Sequence, residues 1–111
     1  MSNTIKQKRT IDGKDYTLVF DFQTLCDAEE ATGQSMMRIG DNLNMGTISG
    51  MFWASLQDRH KMTRRESNAL VDKAGGFDTV AEWVTDGLAS YLNGVSKPAP
   101  KVKTTKKAKA A

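Results

Sequence analysis

The chain has 111 residues, about the size of one domain, and its single cysteine, Cys26, excludes a disulfide-stapled scaffold and a cysteine zinc site. No run of about 18 apolar residues is present, and the opening MSNTIKQKRT lacks the apolar segment of a secretory signal, so the protein is expected to be soluble and to stay where it is made. The net charge of +3 comes from one end: setting aside six tail lysines (Lys97, Lys101, Lys103, Lys106, Lys107 and Lys109) leaves 10 basic residues against 13 acidic ones.

The first element is a β-hairpin over 5–20, because Asp12-Gly13 supplies the turn residues that tolerate positive φ between two strand-like runs. In the second strand Tyr16, Leu18 and Phe20 alternate with Thr17, Val19 and Asp21, which sets up one core face. Asp21 then caps a helix over about 22–32, with Phe22, Leu25, Cys26 and Glu29 at i, i+3, i+4 and i+7 before Gly33 ends it. A short helix is expected over about 36–43, with Ser35 as cap and Met36, Met37, Ile39 and Leu43 as its apolar positions. The next, over about 48–60, places Ile48, Met51, Phe52 and Leu56 on one face and Arg59, His60 and Lys61 where a helix C-terminus favours cations.

Thr63 to Glu66 fits a capping box, and the helix it opens runs over about 64–74 to Gly75. The last helix, over about 79–92, starts near Asp78 or Thr79, carries Val80, Trp83, Val84, Gly87, Leu88, Tyr91 and Leu92 as its stripe, and closes at Asn93-Gly94. The fold class is therefore α+β and mostly helical, one globular domain over 1–94 with an N-terminal hairpin and four to five helices. Residues 95–111 combine both prolines with lysines and almost no large apolar side chain, the composition of a disordered arm.

No set of residues is spaced for catalysis, metal or cofactor binding. Cys26 shares its helix face with Phe22 and Leu25 and is expected in the core, and the sole histidine, His60, lies far away in sequence at a helix end. Asp27 and Glu30 fall on the wet face, and GDNLNMG puts Leu43 and Met45 where a calcium loop needs oxygen ligands. An enzyme is not expected.

Two binding functions compete. The run TRRESNALVDKAGGFDTVAEWV reads as helix, glycine turn, helix, so a small DNA-binding or packaging accessory protein, aided by the basic tail, is the alternative. The would-be recognition helix, however, carries Asp78, Glu82 and Asp86 and no lysine or arginine, which leaves only weak, non-specific contact through the tail. The stronger candidate is a protein-binding surface built from Met36, Met37, Met51, Phe52 and Trp53, with the tail lysines as an electrostatic arm, since methionines adapt to varied partners and aromatics anchor interfaces. Some of these residues also satisfy the buried stripe. An exposed hairpin edge leaves self-association open.

Three blocks carry a resemblance: Phe20, Asp21 and Phe22 leading to Leu25, Cys26, Glu29, Glu30 and Gly33; then Phe52, Trp53, Ala54 and Leu56; then Thr63, Glu66, Val71, Asp72 and Gly75. Over about Tyr16 to Leu92 the chain resembles the small tail assembly chaperones of long-tailed phages and gene transfer agents. The resemblance implies a non-enzymatic protein of the infected bacterial cytoplasm that uses no cofactor, covers the tape measure protein, helps recruit tail tube subunits, and is absent from the mature virion. It also implies a longer product made by frameshifting, for which Lys106-Lys107 is a candidate slip site. The chain departs from the pattern at Ala28, where a larger apolar residue is common, and in its lysine-rich end.

Overall fold

The computed structural model describes residues 4–41 and 43–96. Strands β1 (Ile5–Ile11) and β2 (Lys14–Phe20) pair antiparallel with Ile5 opposite Phe20 and Ile11 opposite Lys14. Asp12 (φ 54°) and Gly13 (φ 81°) both take positive φ, as a two-residue turn matched to strand twist requires. Ile11, Tyr16, Leu18 and Phe20 point into the core; Val19 is buried as well, and its carbonyl accepts from the Thr24 hydroxyl at 2.9 Å.

Four α-helices follow: α1 (Phe22–Thr32), α2 (Met45–Leu56), α3 (Arg64–Ala74) and α4 (Phe77–Ser96). A 3₁₀ turn, Met36–Asp41, links α1 to α2 where a short helix over 36–43 was expected. Its first N–H, that of Met36, donates to the Glu29 carboxylate at 2.9 Å, a cap that comes from the preceding helix and not from the Ser35 side chain.

The hairpin, α1 and α3 have the predicted bounds, while α2 and α4 are displaced. For α2 the reason is Asn44, which accepts from the Thr47 N–H at 3.0 Å while the Thr47 hydroxyl accepts from the Asn44 N–H at 2.9 Å. That reciprocal cap starts the helix at Met45. At its other end Gln57 bonds back to the Trp53 carbonyl and receives the Met62 N–H, so the chain turns at Leu56 and residues 57–60 are not helical. Helix α4 begins at Phe77, directly after two left-handed glycines, Gly75 (φ 117°) and Gly76 (φ 98°). It passes through Asn93-Gly94 to Ser96, two residues short of Pro98, which disfavours helix in the residue before it. Val95 and Ser96 therefore belong to α4 and not to the arm; the remainder of that arm lies outside the described residues.

Helix α2 is central, touching α1, α3, α4 and β2. Eight of its 12 residues are buried. Towards α1 it presents small groups: a Cβ added at Gly50 would collide with Thr32 Cγ2, and the Thr32 hydroxyl is held by the Ala28 carbonyl and the Gln34 N–H, so that methyl cannot swing away. The facing side of α1 is accordingly Thr24, Ala28 and Thr32, one residue per turn. Helix α4 closes over the hairpin at Gly87, whose missing side chain leaves room for the Phe20 ring. Beside that contact the Gln7 amide faces the Gly87 N–H and the Trp83 carbonyl; turned with its oxygen to the first (3.1 Å) and its nitrogen to the second (3.2 Å), it ties β1 to α4. Among the described residues no helix is long and apolar enough to cross a membrane.

Candidate functional site

The residues proposed for partner contact divide by burial. Met36, Met51 and Phe52 are core residues, which corrects their assignment to a contact surface. Met51 and Phe52 sit on a helix surrounded by three others and a strand, so both flanks of its stripe face inward. Met36 is turned into the same cluster by the Glu29 cap on its own N–H, and Met37, the next residue along, is 63% exposed. Trp53 is half-buried; its indole N–H donates to the Met62 carbonyl at 2.8 Å, so it fastens α2 to the segment before α3. Lys97, Lys101, Lys103, Lys106, Lys107 and Lys109 lie outside the described residues.

Three large apolar side chains outside that set are exposed instead: Phe22 (72%), Leu43 (46%) and Met45 (73%). Periodicity had placed Phe22 on the buried face of α1, but that face is Thr24 and Ala28, and the expected core residue Cys26 is only half-buried. Met45 starts α2 because Asn44 caps it, and the first turn of a helix projects beyond its neighbours.

Met45 opens onto a cleft of about 470 Å³ between the start of α2, one side of α3 and the first residue of α4. Ile48 floors it, Val71 and Phe77 form its apolar wall, and Arg64, Asn68 and Asp72 run along its α3 side. Arg64 is half-buried there, donating to the Ser49 hydroxyl at 3.1 and 3.3 Å and to the Ala31 carbonyl at 3.4 Å. Its partners are all neutral: the ion pairs among the described residues are Arg59 with Asp58 and Lys73 with Asp12. Ser49 in turn donates to the Asn68 side-chain carbonyl, which fixes the hydroxyl that Arg64 uses. Asp72, two turns further along α3, is exposed and joins no ion pair among the described residues.

A second recess, of about 360 Å³, contains His60 with Lys14, Tyr16, Lys61, Met62, Glu66 and Leu70. His60 is not the helix-end cation that sequence suggested. Its Nε2 accepts from the Thr17 N–H at 3.0 Å, a bond only the neutral ring can make. Burial first, then the charges of Lys14 and Arg59, push its pKa below the ordinary 6.5. The imidazole thus closes part of the outer edge of β2, with Tyr16 packed against it at 5.1 Å between ring centres. The lone pair that a general base would need is engaged, and Cys26 does not line this recess. Among the described residues no three His, Cys, Asp or Glu side chains are grouped to hold a metal ion.

The α3, Gly75-Gly76, α4 segment has the outline of a helix-turn-helix, but α4 buries Val80, Val84, Leu88 and Tyr91 against the core. What it leaves exposed includes Asp78, Glu82 and Asp86, an acidic face. No protein-family model, curated protein or solved structure matches the chain.

Proposed function

We propose that this chain is a tail assembly chaperone of the long-tailed phage type, a non-enzymatic binder of the helical tape measure protein that also helps bring tail tube subunits to it. The observation that carries the proposal is the group of large apolar side chains left in solvent, Phe22, Met37, Leu43 and Met45, on a small body whose core is already filled. Contiguous exposed apolar surface marks contact with another protein, and these four side chains are the large apolar groups from which such a surface can be built. The resemblance carried by the three sequence blocks is what supports the tape measure protein as the partner, and a long, partly apolar helical partner needs such cover to avoid aggregation.

Duplex DNA is the less favoured partner, because the acidic outer face of α4 would meet phosphate with like charge. The test is co-expression with the long tape measure protein that this proposal expects in a neighbouring gene. Solubility of that protein only when this chain is present supports the proposal; equal solubility with and without it defeats the proposal. Binding to duplex DNA that survives removal of residues 97–111 and falls with salt at a slope near −0.9 per phosphate contact would favour the alternative.

A further inference from the structure

We propose that the cleft between the start of α2 and the side of α3 seats about two turns of an amphipathic helix from the partner, with an acidic residue at the Arg64 end and a basic residue at the Asp72 end. This rests on the preceding proposal only in taking the partner to be a long helical protein.

The cleft has the parts that a helix-binding groove needs. Ile48, Val71 and Phe77 make an apolar bed, and Met45, a flexible side chain 73% exposed, stands at its rim. Its two charges lie at opposite ends. Arg64 and Asp72 are eight positions apart on α3, about 12 Å at the helical rise, so they bracket two turns of a partner helix lying along α3. Acid and base about seven positions apart on that helix, with apolar residues three and four positions in from the acid, match this layout.

Charge decides the occupant. Arg64 is held by neutral oxygens alone, and Asp72 joins no ion pair among the described residues, so a ligand must carry both signs to complement the cleft. A phosphate backbone would satisfy Arg64 and be repelled by Asp72. A purely apolar segment would leave both charges without an ion partner beside a dry contact. The opposed charges also set direction, because reversing the helix would place like beside like at both ends.

The experiment uses the full chain and the intact tape measure protein expected as its partner. Met45→Glu and Asp72→Lys alter exposed side chains, and thermal unfolding checks that each variant keeps its fold. The expected result is a complex weakened at least about tenfold by Met45→Glu, and weakened by Asp72→Lys in a way that reversing the facing basic residue of the partner to an acid restores. Benzoylphenylalanine introduced at Met45 should cross-link to a partner segment with the acid, apolar, apolar, base spacing. Complexes of unchanged affinity in both variants, or cross-links confined to segments without that spacing, overturn the cleft proposal while the chaperone function stands. Failure of the unaltered chain to form any complex overturns both.

Discussion

Helices α1 and α2 lie against each other and have similar lengths, 11 and 12 residues, yet they treat their aromatic residues in opposite ways. Helix α2 buries Phe52 completely, whereas α1 leaves Phe22 in solvent and buries Thr24 and Ala28. The difference lies in what each helix meets. Helix α2 is enclosed on several sides and can bury more than one flank; α1 meets a face of α2 made of small residues around Gly50 and Ala54 and must answer with small residues of its own. Close approach of two backbones excludes bulk, so the side of α1 that is nearest the core is not its most apolar side. The same constraint accounts for the small, buried side chain at Ala28.

Several measurements sharpen or break this contrast. The largest effect is expected for Phe52→Ala, which should lower the unfolding free energy in urea by about 3–5 kcal/mol, against a change within about 0.5 kcal/mol for Phe22→Ala. Comparable losses at the two positions would remove the distinction between the helices. Next comes the seam itself: Ala28→Leu should cost about 1–3 kcal/mol by overpacking against α2, although it adds apolar surface. A neutral or stabilising Ala28→Leu would show that α1 is not held by close approach. Loss of the Thr63 cap in Thr63→Ala, at the start of α3 and away from the seam, should cost about 1 kcal/mol, and the Ala28→Leu loss should add to it independently.

The smallest expected effect is on pH dependence and involves His60. Its folded pKa lies below the ordinary 6.5, so in the window beneath that value the unfolded chain binds more protons than the folded one. The stability contributed by the neutral ring is therefore present above about 6.5 and is lost as pH falls through the folded pKa. His60→Gln keeps an acceptor for the Thr17 N–H without titrating. Urea midpoints should show the unaltered chain losing stability relative to this variant between about pH 7.5 and pH 5, and a constant difference would remove His60 from β2's edge as a titrating group.

The elements legible in the sequence were those closed by local chemistry. Asp12-Gly13 made the hairpin turn; Asp21 and Gly33 bounded α1; Thr63 with Glu66 and Gly75 bounded α3. Each is an interaction among residues close in the chain. The Asn44 and Thr47 cap is equally local, but it lies ahead of the apolar run that begins at Ile48 and so outside the periodic signal. The 3₁₀ turn was not legible as such, because its first N–H is satisfied by Glu29 from the previous helix. Of the candidate contact residues, Met37 is exposed and Met36, Met51 and Phe52 are not, since burial of a methionine or phenylalanine depends on which neighbours surround it. The cleft was invisible in sequence because Met45, Arg64, Asp72 and Phe77 come from three different helices.

By itself the sequence determined the hairpin and its turn, the bounds of α1 and α3, and that the body is acidic and its end basic, because capping, turn geometry and composition are settled within a few residues. Tertiary structure alone decided which face of α1 is inside, that His60 serves as an acceptor for β2, and that a two-signed cleft lies beside Met45. Those outcomes depend on how closely backbones distant in the chain approach one another, and that distance is set by small residues such as Gly50, Ala28 and Gly87 acting across elements.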